Sequence, residues 1–166
     1  MANFGDIQTN LALGASQSVR RNSGDAAFEA FTPLVAADVS NAKSGSFGIA
    51  INGGTAVLTT GFKGFLVMPY AGTITSWQIF ETTSTPISTT TVVDVWKDTY
   101  ANYPPTVADS IAGSEKPTLT AATKNQDTNL TTWVTLSVAA GDVIGFNIDS
   151  NNNAKNLLIV INITKS

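Results

Sequence analysis

The chain contains neither cysteine nor histidine, and these two absences exclude several kinds of chemistry. Without cysteine there is no disulfide, no thiol nucleophile and no thiolate metal site. Without histidine there is no imidazole metal ligand and no Ser-His-Asp arrangement. Because small secreted domains often depend on disulfides, the stability of this chain must come from its hydrophobic core or from oligomerisation.

Charge is also scarce. Charged residues make up 13% of the sequence, which is about half of the usual share. The net charge is −3, and Arg20 and Arg21 form the only adjacent basic pair. A nucleic-acid-binding domain normally carries a larger basic patch, so we expect no nucleic-acid partner.

Long hydrophobic runs are missing as well. No apolar segment approaches the roughly 20 residues of a transmembrane helix. The first residues, Met1–Ile7, lack the basic start and the apolar core of a secretory signal. We therefore expect no membrane insertion and no signal peptide.

The abundant residues favour strands. Hydrophobic residues make up 43% of the 166 residues, enough for one domain with a substantial core. Threonine occurs 23 times, and threonine, valine and isoleucine suit a half-buried pleated surface. The composition therefore predicts an all-β protein.

Short apolar segments recur between turn signals from residue 47 onward. Turn residues occur at Asn52–Gly54, Pro69–Gly72 and Asp149–Asn153. About eight short strands at this spacing predict a jelly-roll-like antiparallel β-sandwich. The predicted strands are Phe47–Ile51, Thr55–Thr60, Gly64–Pro69, Gly72–Phe80, Thr90–Lys97, Thr132–Val138, Asp142–Asp149 and Asn156–Thr164.

Residues 1–45 differ from the rest because they contain few large apolar side chains. Asn22–Asp25 is a turn signal between two short extended segments and predicts a small hairpin. Since one hairpin is not stable alone in water, this segment must dock on something. We predict an extended N-terminal attachment or trimerisation arm (1–45) and a β-sandwich knob (46–166). The candidate docking residues of the arm are Phe4, Arg20, Arg21, Phe28 and Phe31.

The stretch from Tyr100 to Leu130 is too long for an ordinary connection between strands. We predict that it forms an excursion from one end of the sandwich, with one extra strand near Pro117–Ala122. Its beginning is rich in tyrosine, proline and acids, and exposed tyrosines bind sugar rings or protein partners. The candidate surface for a glycan or a protein partner consists of Asp98, Tyr100, Asn102, Tyr103 and Asp109.

The three tryptophans and five carboxylates have simpler interpretations. Trp77, Trp96 and Trp133 lie within predicted strands, so we expect them in the core. Two carboxylates could act as the acid and base of a glycosidase if they stood about 5–9.5 Å apart, and loop oxygens could bind calcium. Loop carboxylates more often form turns, so we expect no catalytic residue, no metal site and no cofactor. The carboxylates considered are Asp94, Asp98, Asp109, Glu115 and Asp127.

Several segments of the second region form a recognisable set. These segments are VVDVWKDTYANYPPTVADSI (92–111), KPTL (116–119), Leu130–Trp133, Ala140–Asp142, Phe146–Asp149, Gly61–Gly64 and Pro69–Trp77. Together they resemble a β-sandwich module of tailed-bacteriophage fibre and other virion proteins, and the resemblance covers residues 47–165. The connector-like segments Val19–Pro33 and Leu34–Val39 are similar to motifs of phage tail fibres, although Ser40 stands where the second motif usually has glycine.

The resemblance implies a non-enzymatic virion protein that is trimeric and is assembled in the host cytoplasm. Its partners would be other copies of itself, other capsid or tail proteins, and a polysaccharide on the host surface. The expected function is a fibre knob anchored by its N-terminal arm. Two alternatives stay open: a capsid decoration or head-fibre protein fixed on the head shell, and a stand-alone carbohydrate-binding module or glycan-degrading enzyme.

Overall fold

The structure is a computed structural model that describes residues 18–21, 28–31, 43–83, 86 and 88–166. For the first two ranges the description covers the backbone. The chain divides into two compact units, Met1–Asn41 and Ala42–Ser166, and each is described by itself.

The two described ranges of the first unit form an antiparallel pair of strands. Strand β1 (Ser18–Arg21) pairs with strand β2 (Phe28–Phe31), as the turn signal at Asn22–Asp25 predicts. The proposed docking residues fall outside the described part of the chain, either entirely or in their side chains, so their role stays a prediction. These residues are Phe4, Arg20, Arg21, Phe28 and Phe31.

The described residues of the second unit form nine strands and two short 3-10 helices. The 3-10 helices are Tyr100–Asn102 and Val107–Asp109. The strands are β3 (Ser44–Asn52), β4 (Gly61–Val67), β5 (Gly72–Glu81), β6 (Thr90–Asp98), β7 (Thr118–Thr120), β8 (Lys124–Asp127), β9 (Ser137–Val138), β10 (Val143–Ser150) and β11 (Asn156–Lys165).

These strands form two antiparallel sheets. The four-stranded sheet has the order β4-β10-β6-β7, and the five-stranded sheet has the order β3-β11-β5-β8 with β9 also paired to β5. When the strands of this unit are renumbered without the two-residue β9, the orders become 2-7-4-5 and 1-8-3-6. This is the strand order of a jelly roll. The all-β, jelly-roll-like sandwich predicted from the sequence is confirmed.

The core lies between the two sheets and is built by alternation along the central strands. Strand β11 turns Leu157, Ile159, Ile161 and Ile163 inward, and each is at most 2% exposed. Successive side chains of a strand point to opposite faces, so one strand supplies four core residues in register. Each fully buried side chain of this kind contributes about 1.5–3 kcal/mol.

Strands β3 and β4 each begin three residues before their predicted starts, and two other predicted strands are absent or much shortened. Thr55–Thr60 forms no strand, because Asn52 Oδ1 accepts the Gly54 amide and the chain continues to turn. Leu58 is buried, and its amide donates to the carbonyl of Ala154 in a loop. Of the predicted strand Thr132–Val138, only the last two residues form a strand, β9. The first half instead contacts the loop before β7, where the Val134 amide donates to the Ile111 carbonyl.

The excursion after β6 does not project from the end of the sandwich. The amide of Ile111 donates to the Val95 carbonyl, Trp96 and Ser110 form an isolated antiparallel bridge, and the Val93 amide donates to the Pro117 carbonyl. The segment thereby continues the edge of β6 beyond its pairing with β7. The extra strand predicted near Pro117–Ala122 is present as β7.

Candidate functional site: an aromatic surface beside the loop after β6

A β-bulge in β4 turns three large apolar side chains outward. Phe62 pairs with Asn147, whereas Gly64 pairs with the preceding residue of β10, so Lys63 is the extra residue. A bulge places two residues of one strand opposite one residue of the other. Phe62, Phe65 and Val67 therefore share the outer face of the four-stranded sheet, where they are 38%, 46% and 48% exposed.

The loop after β6 lies beside these side chains. The Tyr103 ring packs on the Phe65 ring at 4.7 Å between centroids, with an angle of 59° between the planes. Pro105 is buried, and it approaches Gly145 of β10 so closely that a Cβ there would lie 2.9 Å from Pro105 Cγ. We call the group Phe62, Phe65, Val67 and Tyr103 the aromatic surface.

The polar residues of the candidate surface shape the loop. Asp98 Oδ1 accepts hydrogen bonds from Asn102 Nδ2 at 3.0 Å and from the Thr99 amide at 2.6 Å. These two hydrogen bonds hold the pKa of the Asp98 carboxyl below its usual value. Asp109 Oδ2 accepts from both the amide and the hydroxyl of Thr106, which completes a capping box.

The two tyrosines of the candidate surface are presented differently. Tyr100 is 80% exposed, whereas Tyr103 is 48% exposed and has one side against Phe65. The structure therefore gives Asp98, Asn102 and Asp109 a role in loop geometry and leaves the tyrosine side chains open to a partner.

Trp96 is buried, as predicted, but on the outer side of the sheet and outside the central core cluster. It is 8% exposed and packs against Phe62 with 5.9 Å between ring centroids. Its neighbours Val93 and Val95 point into the core instead. Trp77 and Trp133 do lie in the core, and both indole N–H groups donate to the carbonyl of Glu115, at 2.9 and 3.2 Å.

Asp94 lies beneath the loop and is fully buried. Its carboxylate accepts hydrogen bonds from the Val95 amide (2.8 Å), Ser110 Oγ (2.7 Å) and Trp96 Nε1 (3.0 Å). Lys116 Nζ lies 2.9 Å from Asp94 Oδ2 and completes the set of donors. Such full satisfaction offsets the large penalty of burying a carboxylate.

Lys116 links this buried carboxylate to a second acid. Its ammonium lies 2.6 Å from Asp149 Oδ2, while Asp149 Oδ1 accepts from Asn147 Nδ2. Burial of the ammonium opposes its charge, but the hydrogen bonds and charges of Asp149 and Asp94 outweigh burial and raise the pKa of Lys116. The ion pairs tie the segment before β7 to β6 and β10.

The remaining carboxylates also hold loops. Glu115 accepts from Thr131 Oγ1 at 2.6 Å and from the Thr132 amide at 2.8 Å, and these bonds lower the pKa of its carboxyl. Asp127 Oδ1 accepts the amide of Asn129. All five carboxylates considered from the sequence thus have local structural partners.

Two shallow cavities lie away from the aromatic surface. One, of about 500 Å³, is bounded by the loops that follow β3, β5 and β10, and it contains the buried Glu81. Glu81 Oε1 accepts from Thr83, and its Oε2 accepts from the amide of Lys155. The other, of about 460 Å³, is lined by Gln78, Phe80, Lys124, Asn125 and Gln126 on β5 and β8.

Sequence reasoning did not find Phe62, Phe65 and Val67. Strict alternation puts residues three apart on opposite faces, so Phe62 and Phe65 do not share a face unless a bulge intervenes. The usable signal in the sequence was Gly64, because glycine inside a strand often marks a bulge. In the structure, the φ of Gly64 is +154°, a value that residues with a side chain rarely adopt.

The described residues contain no helix that is long and apolar enough to cross a membrane. Within the same ranges, no group of three or more acidic side chains is placed to hold a metal ion. No family model, no curated protein and no solved structure matches the chain.

Proposed function

We propose that this chain is a non-enzymatic structural protein of a bacteriophage virion, and that its knob forms a homotrimer by burying the aromatic surface against other copies. The observation that carries the proposal is the exposure of Phe62, Phe65, Val67 and Tyr103 side by side. Clustered exposed apolar side chains mark interaction sites, and aromatic residues are enriched at the centres of protein interfaces.

The position of β4 supports the same proposal. Among the described strands, β4 pairs only with β10, so it forms one edge of the four-stranded sheet. An exposed apolar edge strand promotes uncontrolled association unless it is covered. A neighbouring copy that packs on β4 would cover both this edge and the aromatic side chains.

The assignment to a virion rests on the resemblance to phage fibre modules and on the jelly-roll order of the strands. The non-enzymatic assignment is supported by the local hydrogen bonds that occupy the carboxylates, including Asp94 and Glu115. The N-terminal arm would attach the knob to other virion proteins. Attachment to the head shell is the alternative to a position on the tail. The copy number per particle distinguishes the two positions, because hundreds of copies are expected for a head protein.

A second candidate role is glycan recognition by Tyr100. Its ring is 80% exposed, and the hydrogen bond from Asn102 to Asp98 fixes the 3-10 turn that carries it. A preformed loop loses less conformational entropy on binding. This role predicts that Tyr100→Ala weakens glycan binding without changing the oligomeric state.

The trimer proposal predicts that Phe65→Ala combined with Tyr103→Ala shifts the protein toward monomers. Truncation of a central interface aromatic typically weakens binding by about 2 kcal/mol or more, which is about thirtyfold. Multi-angle light scattering at several protein concentrations, supported by native mass spectrometry, measures the shift.

Val134→Ala is the matched control. Val134 is 76% exposed, and its amide donates to the carbonyl of Ile111, beyond β6 and away from β4. We expect this variant to keep the oligomeric state of the parent. A monomeric parent protein at high concentration, or equal effects of the two changes, would contradict the proposal.

A further inference from the structure

The outer face of the five-stranded sheet carries a polar cleft that the proposed trimer does not use. Residues Gln78 and Phe80 of β5 lie opposite Gln126 and Lys124 of β8, respectively. Because cross-strand partners share a face, these four side chains project together. They line the cavity of about 460 Å³ with Asn125, whose Nδ2 donates to the carbonyl of Thr118.

The two glutamines form an amide pair across the strands. Gln78 Nε2 donates to Gln126 Oε1 at 3.3 Å. The pair still presents an acceptor, Gln78 Oε1, and the donor hydrogens of Gln126 Nε2. A sugar hydroxyl both donates and accepts, so neighbouring hydroxyls match such a pair. The polar row continues along the sheet, where Asn162 Nδ2 donates to Ser76 Oγ at 2.8 Å.

Phe80 and Lys124 add an apolar floor and a positive charge. Phe80 is partly exposed and Lys124 is exposed. The residues lining the cleft include one cation and no carboxylate. Sparse positive charge does not suit nucleic acid, whose binding requires many phosphate contacts by lysine or arginine. It suits a polymer of hydroxyl-bearing rings with occasional carboxylates.

From this juxtaposition we propose that the cleft binds an acidic saccharide, a chain of sugar rings that carries uronic-acid carboxylates. One ring face packs on Phe80, its hydroxyls bond to the amides of Gln78 and Gln126, and a carboxylate pairs with Lys124. The inference goes beyond the proposed trimer, because the cleft and the aromatic surface lie on different sheets.

The experiment measures binding of hexamers of galacturonic acid and of mannuronic acid, together with their carboxyl-reduced counterparts. Isothermal titration calorimetry gives the affinity, and ¹⁵N chemical-shift changes of the full chain locate the site. Lys124→Gln should weaken binding of the acidic hexamer about two- to fivefold, as expected for one exposed ion pair. It should leave binding of the carboxyl-reduced hexamer unchanged.

Two further variants test the hydrogen bonds and the ring contact. Gln78→Ala combined with Gln126→Ala should weaken binding of the acidic and of the carboxyl-reduced hexamers about tenfold, because two hydrogen bonds are lost. Phe80→Ala should have a similar effect through lost ring packing. Val134→Ala is the control, because Val134 is exposed and belongs to neither proposed surface, and it should bind the hexamers as the parent does. Tyr100→Ala tests the alternative site in the loop after β6.

Three outcomes would overturn the proposal: no binding of any hexamer at millimolar concentration, binding that the cleft variants leave intact, or loss of binding in Tyr100→Ala alone. The last would assign recognition to the loop after β6. Light scattering on the same samples reports the oligomeric state separately, so a failed saccharide site is distinguishable from a failed trimer.

Discussion

Lys116→Met should lower the free energy of unfolding by about 3 kcal/mol, the lower end of the range for breaking a buried ion pair by removing one partner. The reason is that Asp94 stays buried and loses the cation that lies 2.9 Å from its carboxylate. The hydrogen bonds from Ser110 and Trp96 remain, which keeps the loss from being larger. Urea denaturation followed by circular dichroism measures the change.

Lys97→Met is the matched control. The side chains of Lys97 and Lys116 are 23% and 26% exposed; Lys97 pairs with one aspartate, and Lys116 pairs with Asp94 and the more exposed Asp149. Asp142, the partner of Lys97, keeps 11% exposure and sits 3.3 Å away, whereas Asp94 has none. We expect at most about 1 kcal/mol for Lys97→Met, because the Asp142 carboxylate keeps some contact with solvent and still accepts the amide of Ala139 at 2.8 Å. Equal losses in the two variants would contradict the special role given to burial.

The same pair makes a prediction about pH. The pKa of Lys116 is raised above its ordinary value of 10.5 by Asp149 and Asp94. A raised folded-state pKa gives stability that is fully present below the ordinary value and is lost as the pH rises through the folded value. The difference in stability between the parent and Lys116→Met should therefore be constant at neutral pH and shrink above about pH 10.5. If the difference in stability already shrank as the pH rose from neutral to about pH 9, that result would be inconsistent with the assigned ion pair.

Two central strands were predictable because their burial alternates. Strands β5 and β11 begin at the predicted residues, since apolar residues at every second position define a half-buried strand. Strand β10 begins one residue after the prediction, and its first four residues are all buried, so it was recognisable as a short apolar run next to turn signals. Strand β8 has the sequence Lys-Asn-Gln-Asp and is mostly exposed. An edge strand with no buried face leaves no hydrophobic pattern, so β8 was missed, and with it the cleft that it forms with β5.

The candidate surface was only partly predictable, because long-range contacts determine it. The sequence marks Tyr100 and Tyr103 as unusual loop residues, but it does not show that Tyr103 packs on Phe65, some forty positions earlier. Burial of Trp96 was correctly expected for a strand residue. Its location on the outer side depends on Phe62 and on the returning loop, which local pattern cannot supply.

Trp77→Ala should lower the free energy of unfolding of the knob by about 4 kcal/mol. This loss is larger than the one expected for Lys116→Met. Trp77 is 3% exposed and lies in the core cluster, and removal of a buried tryptophan side chain costs about 3–5 kcal/mol through lost burial and the resulting cavity. Thr75→Ala, at an exposed position of the same strand, should change stability by less than about 0.5 kcal/mol. Similar values for both changes would contradict the core position of Trp77.

Conservative changes separate the hydrogen bond of Trp77 from its volume. Trp77→Phe keeps most of the ring, and Trp133 Nε1 still donates to the carbonyl of Glu115, so a loss of about 1 kcal/mol is expected. Trp133→Phe should behave likewise, because Trp77 Nε1 remains as donor. The double change removes both indole donors, and its cost should exceed the sum of the single costs by about 1 kcal/mol. Strict additivity in denaturant unfolding would show that the two indoles do not share this carbonyl as their common anchor.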